Sequence, residues 1–416
     1  MKQEEKNKRI SEARKATSLK RKSQICKTFK FKVDKSSLSC AQKEALKMFF
    51  VEAKRVYNYI LGSEKDPFSI SYKDLKTITY LDKNKNQVEY NIQYIGSSVI
   101  DEIVTVMEES IKGLSSSKKN GSKIGGLKFK SECNSIRLRQ YGITHSIRGN
   151  RIKIQGIKKP IRVNGLKQLN RYKNIDLTVA NLLYDGYDYF VSLTCFIDKK
   201  EKIINDTIIG IDLGCSSTIT TSDGEKISVS IEESERLKGL QSCLATQSKG
   251  SNNWYKTRSK IRKEYNKMNN KKNDISNKIV HRLSQYGSII IQDDNINEWR
   301  QNEYLSKTVQ HSVLGRIKSK LKNKGNVYIL DNWFPTTKHC FDCGTDIDID
   351  LSNRIFKCPV CGFVSDRDIH AANNMIEFYK RIKSAGTVDL MPGRNISYNK
   401  YKNLMQQEAQ LSLAAE

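Results

Sequence analysis

The sequence has no uninterrupted apolar run near the roughly 20 residues that span a bilayer, which excludes a helical membrane anchor as its organising feature. Met1 to Lys22 is charged throughout and lacks the apolar segment of a secretory signal, so none is expected. No internal repeat is visible, and neither is a recognition helix or an array of fingers. Six of the ten cysteines (Cys26, Cys40, Cys133, Cys195, Cys215, Cys243) stand singly, which argues against a disulfide framework and suits reduced thiols in a cytosol. Acidic residues are outnumbered: 45 Asp+Glu against 73 Lys+Arg leave a net charge of +28, so a polyanion is the expected partner and small-metabolite chemistry is not. The 416 residues have room for two or three domains.

The other four cysteines come in two pairs, Cys340-Phe341-Asp342-Cys343 and Cys358-Pro359-Val360-Cys361. Each pair can place two thiolates on one turn, and the loop between lets the turns face each other around a tetrahedral Zn²⁺. Gly344 and Gly362 follow each pair where such a knuckle needs backbone freedom. With all four ligand positions filled, a zinc ribbon is structural and performs no chemistry.

Along the chain, the basic arm 1–25 reads either as a disordered, solvating tail or as a nucleic-acid contact. Lys27 to Val33 alternates with Phe29, Phe31 and Val33 on one face of a strand, and Ala41–Ile60 and Ile100–Ile111 carry helical periodicity. Ser115 to Lys130 reads as a flexible basic loop. Beyond Ser135 the period becomes two, with hairpin turns at Gly149-Asn150 and Asp185-Gly186. The first half is therefore expected to be a small β-barrel with a helical lobe inserted. From Ile208 three short strands joined by tight turns open a ribonuclease-H-like sheet. A long basic helical region over about 230–286, broken at Gly250-Ser251-Asn252-Asn253, is dense enough in Lys and Arg to lie along a duplex or simply to face solvent.

Three carboxylates fall at comparable points: Asp212 ending the first strand, Asp294 or its neighbour Asp293 ending the strand 288–292, and Asp368 opening a helix. In such a sheet these points converge. Phosphodiester hydrolysis uses hard oxygen ligands of this kind to hold two Mg²⁺ ions about 4 Å apart. Asp366 reads as structural, either pairing with Arg367 or capping the helix.

Gly210-Ile211-Asp212-Leu213-Gly214, the strand ending Asp294-Asn295-Ile296, and Asp368-Ile369-His370-Ala371-Ala372-Asn373 beside the paired cysteines together resemble the split RuvC nuclease of transposon-encoded TnpB and of the miniature type V-F CRISPR effectors. Phe334 to Lys338, Gly250 to Trp254 and, more loosely, Tyr141 to His145 resemble stretches of the same family. The resemblance implies an α+β multidomain chain. Its parts are the arm 1–25, a wedge barrel (26–40 and 126–205), a helical recognition lobe (41–125), a RuvC domain (206–336 and 366–416) and a zinc ribbon (337–365). It also implies a prokaryotic cytoplasmic, antiviral or transposon-borne RNA-guided DNA endonuclease with a guide RNA, a double-stranded target beside a short adjacent motif, and an asymmetric pair of copies on one guide. Phe49, Phe50 and Ile60 are candidates for that pairing or for packing within the lobe. The middle acid is usually Glu in the family. The Asp here withdraws the carboxylate by roughly 1.5 Å, so either the sheet compensates, Asp293 substitutes, or the chain is a guided DNA-binding repressor with a weakened nuclease. His370 replaces an Asn and reads as a capping or packing residue, or as a metal residue.

Overall fold

Alternation and turn chemistry build the first half, and helical periodicity walls it. The computed structural model describes residues 2–63, 67–81, 84, 86–199, 205–350, 353–385 and 390–413. Met1, the stretch at 200–204 beside the expected boundary, and the last three residues of the expected nuclease domain lie outside them. The chain divides into two compact units, residues 1–201 and 202–416.

The first unit runs α1 (Lys2–Lys22), β1 (Gln24–Lys32), α2 (Cys40–Gly62), β2 (Thr77–Leu81), β3 (Gln87–Asn91), α3 (Ser97–Lys119), β4 (Ser135–Leu138), β5 (His145–Arg148), β6 (Arg151–Ile154), β7 (Ile161–Arg162), β8 (Asp176–Tyr184) and β9 (Tyr189–Asp198). An antiparallel sheet β1-β9-β8-β4 and a smaller one β5-β6-β7 are linked by a bridge between Val33 and Val163. Gly149 and Gly186, both at positive φ, make the two expected hairpin turns. α2 starts at a capping box formed by Ser39 and Gln42. It buries Leu46, Phe49, Phe50, Val56 and Ile60 at three- and four-residue steps. Phe49, Phe50 and Ile60 are thus packing residues, covered within their own unit. The core joins α2, α3, β2 and both sheets into a single cluster.

Three expectations fail locally. The arm is a helix, not a disordered tail, and its last turn is anchored: Arg21 lies 3.6 Å over the Phe196 ring and 2.9 Å from the Asp176 carboxylate. α3 runs to Lys119 and so takes up the first five residues of the supposed loop, because Ser and Lys are tolerable on an exposed helix face. The lobe expected to be helical contains the hairpin β2–β3, whose Thr77-Ile78-Thr79-Tyr80 is β-branched and aromatic enough to pair with Val88 and Tyr90.

The second unit runs β10 (Ile208–Asp212), β11 (Ile219–Thr221), β12 (Lys226–Ile227), α4 (Glu235–Thr246), α5 (Asn252–Leu283), β13 (Ser288–Gln292), α6 (Ile296–Gln301), α7 (Glu303–His311), α8 (Leu314–Lys322), β14 (Val327–Leu330), β15 (Ile355–Lys357), β16 (Val364–Asp366), α9 (Arg367–Ser384), β17 (Asn395–Ile396) and α10 (Tyr398–Leu413). One sheet has the order β12-β11-β10-β13-β14-β17. β10, β11 and β12 are antiparallel neighbours, whereas β10–β13, β13–β14 and β14–β17 are parallel. The parallel strands are near-continuous apolar runs because both faces are covered. Ile209, Ile211, Ile289, Ile291, Val327 and Ile329 pack with α5 and α8. Ile290 and Leu330 pack on the other side with Met375, Phe378, Tyr379 and Ile382 of α9. No helix among the described residues is long and apolar enough to cross a membrane.

Candidate active site and metal centre

Strand parity sorts the acids. Ile211 pairs with Ile291, so β10 and β13 end side by side. Side chains two apart share a face. Asp212 therefore lies on the face of Gly210, and Asp294 follows the face of Ile290 and Gln292. That is the α9 side of the sheet. α9 brings Asp368 there because Gly210 has no β-carbon: one added to it would lie 1.9 Å from the Ala372 carbonyl oxygen. Burial, then the charges of Asp294 and Asp368, raise the pKa of Asp212 to about 7. Asp294 is also raised, chiefly by burial. Asp368 has Arg367 at 3.4 Å and Arg354 at 3.7 Å. Hard oxygens crowded until one of them resists ionisation are a donor set that fits a divalent cation such as Mg²⁺.

Asp293 faces the other way. Its Oδ1 is 2.7 Å from both Lys318 Nζ and Lys322 Nζ, and Asn395 Nδ2 donates to its Oδ2 at 2.7 Å. Burial opposes ionisation, yet these donors hold its carboxyl far below the usual range. Of the two neighbours only Asp294 points to the acidic cluster. Asp366 caps α9, accepting from the main-chain N–H groups of Asp368 and Ile369. It pairs with Lys226 at 2.7 Å, not with Arg367 as one expectation had it.

The four thiols come together. The Sγ atoms of Cys340, Cys343, Cys358 and Cys361 lie within 4.8 Å of one another, close enough for all four to hold one metal ion. Cys340 and Cys361 sulfurs are 3.6 Å apart and those of Cys343 and Cys358 are 3.5 Å apart. Thiolates about 2.3 Å from zinc at tetrahedral corners would be about 3.8 Å apart, so the group fits that ion. Gly344 and Gly362 have φ of 73° and 79°, and each donates its N–H back to the first cysteine of its pair. The β15–β16 hairpin and a small core of Cys340, Phe356 and Cys358 complete the ribbon.

His370 is a packing residue. It stacks on Phe356 at 3.8 Å and its Nε2 donates to the His339 carbonyl at 2.9 Å, while burial lowers its pKa. Two residues missed in the sequence finish the seat. Asn374 donates to the carbonyls of Thr336 and His339, and Gln292 accepts from Thr336 Oγ1 while donating to the Phe334 carbonyl. The signal available was polarity at inward positions of an otherwise apolar strand and helix.

Residues 311–375 match the Cas12f1-like TNB domain model, and residues 195–298 match OrfB_IS605, described as a probable transposase. The second half of the chain carries these two family signatures. A putative RNA-guided DNA endonuclease of Streptomyces pristinaespiralis is 30% identical over 198 residues, which is 45% of this chain and 49% of that protein. Putative RNA-guided DNA endonuclease InsQ of Escherichia coli (strain K12) is 25% identical over 195 residues, 41% of this chain and 48% of that one. The chain thus matches about half the length of these curated relatives. Among solved structures, a cryo-EM structure of the Cas12f1-sgRNA-target DNA complex aligns over 84% of this chain and 98% of its own with 14% identity and a TM-score of 0.28. The resemblance read from the motifs of the second half is therefore shown by the two family signatures and the curated relatives.

Proposed function

We propose that this protein is a cytoplasmic, prokaryotic RNA-guided DNA endonuclease whose ribonuclease-H-like (RuvC) site is made by Asp212, Asp294 and Asp368. The observation that carries this reading is geometric: Asp212 and Asp294 follow adjacent parallel strands on the sheet face covered by α9, the helix that carries Asp368, in a chain whose curated relatives are named RNA-guided DNA endonucleases. The three carboxylates would hold two Mg²⁺ ions. Such a pair, when bound, activates water and stabilises the leaving 3′ oxygen. The residues' own part is placement: Asp212 and Asp294 from adjacent strand ends, Asp368 from the helix that Gly210 admits. Arg354 and Arg367 beside Asp368 offset its charge.

The domains that go with this reading are the arm 1–25, a wedge barrel (26–40 and 126–205), a recognition lobe (41–125), the nuclease (206–336 and 366–416) and the ribbon (337–365). Base pairing with the guide RNA would select the target, while the protein reads a short adjacent motif, backbone and hybrid shape. The Lys/Arg-rich α5 supplies a face for that backbone. If two copies share one guide, they meet through residues other than Phe49, Phe50 and Ile60. Asp212→Ala or Asp368→Ala should abolish cleavage in Mg²⁺ and keep guide-dependent DNA binding. Normal cutting by either variant would overturn the assignment. A second reading, a guided repressor with a weakened nuclease, draws on the shorter Asp294. Plasmid cleavage with and without EDTA separates the two.

A further inference from the structure

We infer that Lys318 is a positioning residue for Asp294, and that together with Asp293, Lys322 and Asn395 it compensates for the reach the shorter middle acid lacks. This rests on the nuclease reading above. Lys318, on α8, has a side chain only 11% exposed. Its Nζ is 2.7 Å from Asp293 Oδ1 and also donates to the main-chain carbonyl of Asp294. Lys322, one helical turn on, reaches the same Oδ1, and Asn395 from β17 holds Oδ2. The two residues after β13 are thus tied from α8 on one side and from β17 on the other.

The direction of that tie matters. Asp293 and the Asp294 carbonyl are both drawn toward α8, on the sheet face opposite α9. Holding Asp293 on one side and the peptide plane after Asp294 on the other limits how far the Asp294 Cα, and the carboxylate it carries, can move. The segment also needs fastening, because a cavity of about 700 Å³ lined by Asp294, Asn295, Lys318, Lys322, Asp331 and Asn395 opens beside it. Without the lysine the segment could relax into that space. A shorter carboxylate reaches a shared ion only if its backbone is held in place.

The test uses the full chain with its copurified guide RNA. Lys318→Met should raise the Mg²⁺ concentration for half-maximal cleavage and weaken calorimetric Mn²⁺ binding, each about 10- to 100-fold. Guide-dependent target binding should stay at the wild-type level, and Lys318→Arg should recover most of the loss. Asp294→Glu, placed in the Lys318→Met background, should restore ion affinity more than it changes the wild type. An unchanged ion midpoint in Lys318→Met overturns the inference. So does loss of cleavage, target binding and thermal stability together, since that is ordinary unfolding. Asp212→Asn in the same assays keeps the two levels apart. If it cuts normally, the nuclease reading fails. If it is inactive while Lys318→Met behaves as wild type, only the positioning role fails.

Discussion

His370 lies flat against Phe356, with ring centroids 3.8 Å apart and planes 25° from parallel. The ring joins the ribbon to the helix that carries Asp368, two residues away. His370→Ala removes the stack and leaves the His339 carbonyl one donor short, a cost of about 2 kcal/mol. Protease nicking between Cys340 and Cys361 and zinc loss to a chelator should both accelerate, and Cys358→Ser should do the same more strongly. Unchanged nicking in both variants would mean the ribbon is held elsewhere.

Gly210→Ala tests the approach of α9. A β-carbon 1.9 Å from the Ala372 carbonyl oxygen cannot be accommodated without moving the helix. Overpacking of this kind costs about 1–3 kcal/mol or more. Urea unfolding should shift to lower concentration, and cleavage should fall further than guide-dependent DNA binding. Wild-type unfolding and cutting would show that Asp368 does not depend on this contact.

Asp212 supplies a pH signature. Its pKa in the folded chain is raised to about 7, against about 3.9 when unfolded. Between these values the folded, ion-free protein holds the extra proton, so its stability falls as pH rises, and the full penalty is present above the upper value. His145, pushed down to about 4 by burial, acts oppositely over part of that window, so the informative quantity is a difference between variants. In EDTA, Asp212→Asn should gain on the wild type as pH is raised through the window, by on the order of 1 kcal/mol per pH unit at the steepest. Saturating Mg²⁺ should shrink the gap. Parallel stability curves would mean that the acids are not crowded.

Glu52 is fully buried and its carboxylate accepts from Tyr90 Oη and from the main-chain N–H groups of Gln93, Tyr94 and Ile95 at 2.8–2.9 Å. Glu52→Gln turns one acceptor into a donor facing donors. It should destabilise the protein by about 2–4 kcal/mol, read as an earlier urea transition, with faster hydrogen exchange at residues 93–95. Exchange at the wild-type rate would show that this segment is held by other contacts.

The readable parts of this chain were the ones whose signal is local. Paired cysteines with following glycines, two-residue hairpin turns, and the apolar runs 208–211 and 288–291 all encode their structure within a few residues. The acids at strand ends were legible for the same reason. The choice between Asp293 and Asp294 was also present, in the period of two that sets Ile289 and Ile291 against Ile290 and Gln292. It needed the knowledge that α8 covers one face and α9 the other, which is long-range information. The hairpin β2–β3 was hidden between two strong helical signals. The helicity of the arm was hidden by the absence of an apolar stripe, because helix propensity without amphipathicity leaves no periodic mark.

The single hydrophobic cluster of the first unit has a practical consequence. α2 and α3 share it with both sheets, so residues 41–125 are not a detachable module. Cutting out residues 41–125 would remove one wall of this core, in which Val33, Ile136 and Leu182 are buried. Size reduction would have to proceed from exposed connections, such as the segment between α3 and β4, and leave both helices in place.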